Sequence, residues 1–314
     1  MTSDAPAAPK RRFKLSMSTR EALVFYLLIS PWIFGFLAFQ LGPLLASLGF
    51  SFTDYDVVHK PAFLGAENYR TMLFDDKLFW QSLKVTFTYA VMALPLGIAF
   101  ALFLAVLLNQ KIPAMAFFRT VFYMPSVIAG VAVSLLWLWL FNPNLGLINH
   151  VLRSVFGIQG PNWLLNKTTV IPSYVIMSLW GVGASVIIYL AALQSVPTEL
   201  YEAASLDGAG ATRRFRHVTL PMISPVILFT FITGMIGALQ VFTQAYVMSD
   251  RGRGGPNYAS LFYGLYLFQN AFRYYKLGYA SALAWVLFLI ILGLTLLTFK
   301  ISSDRVFYQS GGRG

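Results

Sequence analysis

Several residue types and motifs are missing or rare in this 314-residue chain, and each absence excludes a class of protein. There is no cysteine, so disulfides, thiolate metal sites and cysteine nucleophiles are excluded. Charged residues make up 11% of the chain and hydrophobic residues 57%, which excludes an ordinary soluble domain. No Gly-Lys dipeptide and no His-Glu-x-x-His spacing occur, so the chain lacks a nucleotide-binding P-loop and this familiar zinc motif. We therefore predict neither a bound metal or cofactor nor an enzyme.

Six apolar runs are each long enough to cross a membrane as a helix, which takes about 20 mainly apolar residues. The first run is too long for a cleaved signal peptide, so we interpret it as a retained helix. Prolines interrupt nearly every run and predict kinks. The runs cover residues 22–50, 85–109, 120–141, 169–194, 222–248 and 277–299. The sequence thus predicts an all-α polytopic membrane protein with six transmembrane helices.

The distribution of basic residues predicts the orientation. With six spans both termini lie on one side, which holds thirteen of the 23 Lys and Arg residues against ten on the other. The positive-inside rule then makes both termini cytoplasmic. We expect a cytoplasmic tail over residues 1–21, a permease domain over 22–301 and a second cytoplasmic tail over 302–314. The net charge of +11 is expected to meet lipid headgroups rather than nucleic acid, because the basic residues lie between apolar runs.

The interiors of the six runs carry no Asp, Glu, Lys or Arg. Ion-coupled carriers normally place ionisable groups at membrane depth, so a stand-alone secondary carrier or channel is disfavoured. An intramembrane transferase would need clustered carboxylates or histidines, and none appear. The Gly, amide and aromatic residues in these runs are instead suited to a path for a neutral polar solute. Any uphill transport must then take its energy from another polypeptide.

The loop at 195–221 predicts a helical hairpin. Ser195 or Thr198 could cap its first helix, Asp207-Gly208 would stop that helix, and Thr212 would cap the second helix, which Pro221 closes. The loop also resembles a known motif: Glu202-Ala203-Ala204, Gly208, Val218 and Leu220-Pro221 match the spacing of the EAA loop of membrane subunits of binding-protein-dependent ABC importers. The only departure from the motif is Val218, which takes the place of an isoleucine. Further short matches over about residues 20–305 are similar to the carbohydrate-importing group, which includes maltose and glycerol-phosphate permeases.

This resemblance implies a type I ABC importer permease in a prokaryotic cell membrane, with the loop as a coupling element. Glu202 would pair with a basic residue of an ATP-binding subunit, Ala203 and Ala204 would keep the helix thin, and Gly208 would make the turn. Asp207, Leu220 and Pro221 belong to the same element. The implied partners are two ATP-binding subunits, which use ATP and Mg, a second and distinct permease, and an extracytoplasmic solute-binding protein. ATP hydrolysis would occur on those separate subunits.

The expected solute is a neutral sugar, whether mono-, di- or oligosaccharide. Trp180 would offer a stacking platform and Gln240 a hydrogen-bonding amide, with Gln244 and Tyr246 behind them. Gly181 comes from matching the maltose permease, which also places Ala184, Gly234, Gly237, Ala238 and Val241 at solute-facing positions. Packing is an equal alternative for Trp180. A glycerol phosphate is the alternative solute. Its negative charge would require a basic residue along the path, and only Arg273 or Lys276, at the end of a cleft, could supply one.

Overall fold

The computed structural model describes residues 17–110, 113–250 and 252–302. Within these ranges the chain is built of α-helices and short π-helical segments, with no β-strand. The all-α prediction is therefore confirmed for the described part of the chain. Most of the two predicted tails, and Lys111 between the second and third spans, lie outside these residues.

The helices follow one another along the chain with short connections. The first half contains α1 (Met17–Phe36), α2 (Gly42–Phe50), α3 (Glu67–Arg70), α4 (Lys77–Leu108), α5 (Met115–Val127), α6 (Gly130–Leu140) and α7 (Leu147–Phe156). The second half contains α8 (Val170–Trp180), α9 (Gly183–Gln194), α10 (Thr198–Leu206), α11 (Ala211–Arg214), α12 (Leu220–Met222), α13 (Ser224–Leu239), α14 (Thr243–Met248), α15 (Tyr263–Phe268) and α16 (Leu277–Ser302). The π-helical segments are Leu37–Leu41, Thr71–Asp75, Phe215–Thr219 and Gln269–Arg273.

Four helical segments of the described chain are long and apolar enough to cross a membrane, namely Met17–Phe50, α4, Ser224–Met248 and α16. Two bent pairs would raise the number to six if each pair is one span. The axis turns by 98° between α5 and α6 and by 50° between α8 and α9. The runs at 120–141 and 169–194 are thus each divided between two helices, so the spans predicted there are bent rather than straight.

The backbone explains both breaks. Pro125 lies in the last turn of α5, and Ile128 and Ala129 then adopt extended ψ values of 138° and 134° before α6 begins. The second break falls at Gly181-Val182, directly before Gly183. Gly183 packs so closely on α5 that a Cβ atom there would lie 2.4 Å from the Phe122 carbonyl oxygen. The bend of α8–α9 is thus held in place by a glycine contact.

Two groups of buried apolar side chains mark opposite ends of α4. One group joins the first half of α4 to α8, α14 and α15, and its rings include Phe79, which lies 6.0 Å from Tyr263. The other joins the last turns of α4 to α9, Val196 and Ile223. The loop at 195–221 therefore lies at the end of the bundle where α4 finishes, and the segment at 249–276 lies where α4 begins.

Candidate functional site

The loop at 195–221 ends its first helix in a Schellman turn. Gly208 adopts the left-handed conformation, with φ of +72°. Its N–H donates to the Ser205 carbonyl at 3.0 Å, and the Ala209 N–H donates to the Ala204 carbonyl at 2.9 Å. This pair of bonds defines the motif, and it favours glycine at the left-handed position. The predicted stop at Asp207-Gly208 is where α10 ends, after Leu206.

The predicted caps are wrong. Pro197 occupies the N-cap of α10, and the Ser195 hydroxyl donates instead to the Ala192 carbonyl. Gly210 precedes α11, which places Thr212 inside that helix. Pro221 does not close the hairpin either, because helical backbone continues through α12 and reaches α13 after Ile223 alone. A proline is tolerated in the first turn of a helix because the N–H that it lacks would have no partner there. The loop therefore continues directly into the next apolar helix.

One face of α10 is exposed along its whole length. Glu199, Glu202, Ala203 and Leu206 are spaced at i, i+3, i+4 and i+7, which puts them on one helical face. Leu206 is 90% exposed, an unusual position for a large apolar side chain at the tip of a hairpin. The face carries two carboxylates at the positive N-terminal half of the helix and has no partner within the described chain. It has the form of a docking surface.

The opposite face of α10 is tied to the bundle. The Tyr201 and Thr219 hydroxyl oxygens lie 2.9 Å apart, and Thr219 is buried. Arg214 donates to the Ser205 hydroxyl at 3.0 Å. These bonds link the two arms of the hairpin. Leu220 and Pro221 follow Thr219 at the base of the second arm, away from the exposed face that carries Glu202.

A cavity of about 270 Å³ opens between α4, the α8–α9 bend and α13–α14. Its lining has no charged side chain. The lining residues are Tyr89, Ala93, Leu94, Gly97, Ile98, Ser178, Gly181, Val182, Ser185, Thr230, Gly234, Gly237, Ala238, Val241 and Gln244. Hydroxyl and amide groups set among small residues suit contacts with a polar, uncharged molecule.

Two of the five residues proposed for the sugar path, Gly181 and Gln244, line this cavity, and so do four of the positions matched to the maltose permease: Gly234, Gly237, Ala238 and Val241. The other three proposed residues do not. Trp180 packs edge to face on Trp137, with 6.1 Å between ring centroids, and takes the packing role given above as its alternative. Gln240 directly follows α13, is exposed in the described chain and does not line this cavity. Tyr246 packs on Phe242 and Phe268 beside a separate cavity.

The sequence reasoning missed the hydroxyl groups of the cavity. Tyr89, Ser178, Ser185 and Thr230 all line it, and the Ser185 hydroxyl makes no hydrogen bond to a described residue. A signal was available in α13, where Thr230, Gly234, Gly237 and Val241 recur at helical spacing. Small and hydroxyl residues along one face of an apolar helix mark the side that faces a cavity rather than lipid.

Comparison with known proteins identifies the family. Residues 93–305 match the family model of the binding-protein-dependent transport system inner membrane component. The chain belongs to this family, whose members are non-catalytic permease subunits of ABC transporters that rely on a separate ATPase subunit. It is accordingly a multi-pass membrane protein.

Curated relatives extend over almost the whole chain. The "Probable ABC transporter permease protein YesP" of Bacillus subtilis strain 168 is 45% identical over 95% of this chain and 96% of its own length. The lactose transport system permease protein LacF of Rhizobium radiobacter is 34% identical, covering 93% and 100%. The sn-glycerol-3-phosphate transport system permease protein UgpA of Pectobacterium atrosepticum is 31% identical, covering 92% and 97%.

A solved structure has the same fold. A chain of a bacterial ABC transporter involved in the import of the acidic polysaccharide alginate superposes with a TM-score of 0.79. The alignment covers 91% of this chain and 97% of that one, at 24% sequence identity. The chain therefore shares its fold with a chain of an ABC importer.

Proposed function

We propose that this chain is the membrane-spanning permease subunit of an ATP-driven importer that translocates a neutral sugar. The observation that carries the proposal is the hairpin at 195–221, whose exposed α10 face holds Glu202 and Ala203 above a Schellman turn at Gly208. This geometry suits a short rigid helix that enters a cleft of an ATP-binding subunit and makes a charge-assisted bond there through Glu202. Asp207 and Gly208 shape the turn, while Leu220 and Pro221 connect it to α13.

The remaining assembly follows from this role. Each permease offers one docking hairpin, so two ATP-binding subunits require a second permease, for which a distinct chain is proposed. Six spans result when each bent helix pair crosses the membrane once, and both termini then lie in the cytoplasm with the hairpin. A solute-binding protein would deliver the sugar to the opposite face. The family description, which names binding-protein-dependent transport, supports this arrangement.

The cavity at the α8–α9 bend is proposed as part of the sugar path. Gln244 and the Ser185 hydroxyl are available to bond a solute, and Gly181, Gly234 and Gly237 leave room for it. The uncharged lining favours a neutral solute, since an ion would be desolvated there without a partner. The names of relatives that transport lactose and trehalose or maltose support a sugar as the solute class.

Charge reversal at Glu202 tests the coupling role. We expect Glu202→Arg to abolish ATP-driven sugar uptake while the protein remains in the membrane, because an exposed helix residue contributes little to folding. Glu21→Arg is the matched control, since Glu21 is an exposed glutamate of α1 outside the hairpin, and it should retain uptake. Uptake and binding-protein-stimulated ATP hydrolysis are measured in the same vesicles. Normal stimulation in Glu202→Arg, or uptake without ATP, would contradict the proposal.

Glycerol phosphate is the second candidate solute. Arg253 and Arg273 line a cavity of about 370 Å³ in the 249–276 segment, away from the uncharged cavity at the α8–α9 bend. Guanidinium groups are well suited to bind a phosphate. Competition decides between the candidates: glycerol 3-phosphate should displace the imported solute if it is the substrate, and lactose or trehalose should do so if a neutral sugar is.

A further inference from the structure

A separate polar cavity of about 400 Å³ lies at the end of the bundle where α4 begins. It is bounded by the Thr71–Asp75 segment, α15 with the π-helical segment after it, and the first turn of α16. Its lining residues are Asn68, Thr71, Asp75, Asp76, Tyr266, Asn270, Lys276 and Tyr279. Its volume falls within the range of small-molecule sites.

The hydrogen bonds of Asp76 fix which groups this cavity presents. One carboxylate oxygen caps α4, accepting from the Leu78 N–H at 2.8 Å and the Phe79 N–H at 3.1 Å. The other accepts from the hydroxyls of both Tyr266 and Tyr279. Burial, and then the Asp76 carboxylate, raise the pKa of Tyr266, which stays protonated. Each tyrosine hydroxyl thus donates its hydrogen to Asp76. Its oxygen remains able to accept a hydrogen bond, but the hydroxyl has no further hydrogen to donate.

Two buried amides add acceptors of the same kind. Asn270 is 4% exposed, and its Nδ2 donates to the Tyr266 carbonyl at 2.9 Å. The Nδ2 of Asn68, also buried, donates to the carbonyls of Ser51 and Thr53. The Oδ1 atom of neither amide receives a hydrogen bond from a described residue. Neither oxygen is among the fully enclosed unpaired atoms of the described chain, so each remains accessible to a ligand that donates hydrogen bonds.

The charges around the cavity limit the class of that ligand. Asp75 and Asp76 repel an anion, and an inorganic cation would find both oxygens of Asp76 already hydrogen-bonded and the ammonium of Lys276 in the same lining. Ligand hydroxyl groups suit both the acceptors and the donors of this lining. Each hydroxyl can donate to an amide or tyrosine oxygen and can accept from Lys276 or Thr71. We propose that this cavity binds the hydroxyl groups of a saccharide and serves as an entry subsite on the extracytoplasmic side. The inference rests on the proposed function, which supplies the sugar and the orientation.

The subsite is tested by measuring sugar binding to the importer complex. The complex is purified from the native membrane by an affinity tag on this chain and is placed in nanodiscs. The probe is whichever of lactose, trehalose and maltose the cells import best through this chain. Saturation-transfer NMR records binding without ATP and without the binding protein. All variants carry Gly237→Leu, which fills the cavity at the α8–α9 bend and leaves the entry subsite as the site observed.

We expect Asn270→Leu and Lys276→Met to lower the transfer signal at least fivefold. Lys77→Met, at an exposed lysine of α4 that does not line the cavity, should leave it unchanged. Lys276 is exposed, so its variant remains informative if Asn270→Leu fails to fold. An undiminished signal in Lys276→Met would overturn the inference, and so would stronger competition by glycerol 3-phosphate or calcium than by a second neutral sugar. ATP-independent uptake would instead overturn the proposed function and leave the binding result standing.

Discussion

The hydroxyl oxygens of Tyr201 and Thr219, 2.9 Å apart, join the two arms of the hairpin between α9 and α13. Tyr201 lies in α10, opposite the exposed face that carries Glu202, and Thr219 is buried at the base of the second arm. Val196 and Ile223, on either side of the hairpin, are packed against the last turns of α4. We therefore expect a force on the exposed face to reach α9 and α13 together, because both ends of the hairpin are packed on the bundle.

Removing this bond should weaken coupling without unfolding the chain. Tyr201→Phe loses one hydrogen bond, worth about 1 kcal/mol, which corresponds to roughly a fivefold change in an equilibrium. We expect the number of sugar molecules imported per ATP to fall severalfold at normal membrane levels. Tyr275→Phe is the control, since Tyr275 is exposed and outside the hairpin. Thr219→Val should give a similar loss, and the double variant should be no worse than either single one. Additive losses would show that the bond is not the shared cause.

The turn at Gly208 offers a test that separates docking from folding. A Cβ atom at Gly208 meets nothing within 4 Å, so a substitution is limited only by the positive φ. Asp tolerates this conformation better than most residues. We expect Gly208→Asp to abolish uptake and substrate-stimulated ATP hydrolysis, because the new carboxylate would lie at the surface proposed to dock on the ATPase.

Gly157 provides the matched control for that variant. It ends α7 with φ of +65° and likewise has nothing within 4 Å of its Cβ position. Gly157→Asp carries the same charge and the same backbone cost but lies outside the hairpin, so uptake should persist. Equal losses in the two variants, or normal stimulated hydrolysis in Gly208→Asp, would argue against a docking role.

The cavity at the α8–α9 bend predicts a block by a single side chain. Gly237 lines it and has no atom within 4 Å of its Cβ position. Leu favours helix over Gly by up to about 1 kcal/mol, so Gly237→Leu should fold well. We expect the added side chain to lower uptake at least tenfold while ATP hydrolysis in the absence of sugar continues. Gly293→Leu, in α16 with equally open surroundings, should import normally. Unimpaired uptake by Gly237→Leu would remove this cavity from the sugar path.

The turn was predictable from sequence and most of the cavity was not, for physical reasons. Asp207-Gly208 acts within a few residues, so the end of α10 follows from local backbone preference. The cavity is lined by both Tyr89 and Gln244, and this arrangement depends on packing between distant helices. Gln240 shows the difficulty: α13 ends at Leu239, and Gln240, which follows it, is exposed rather than among the residues that line this cavity. Trp180 lies at the end of α8, and its ring turns to Trp137 instead of the cavity.

The contact of Gly183 with α5 predicts a loss of stability. A Cβ atom there would lie 2.4 Å from the Phe122 carbonyl oxygen and 2.9 Å from the Tyr123 Cα atom. Both are backbone atoms of a helix and cannot move aside as a flexible side chain could. Overpacking of this kind costs about 1–3 kcal/mol, more than the helix propensity gained from alanine. We expect Gly183→Ala to lower the thermal unfolding temperature in detergent and the yield in membranes. Gly293→Ala, in open surroundings, should match the wild type or slightly exceed it. Equal unfolding temperatures for Gly183→Ala and Gly293→Ala would mean that α5 and α9 are not in the close contact that fixes the bend beside the cavity.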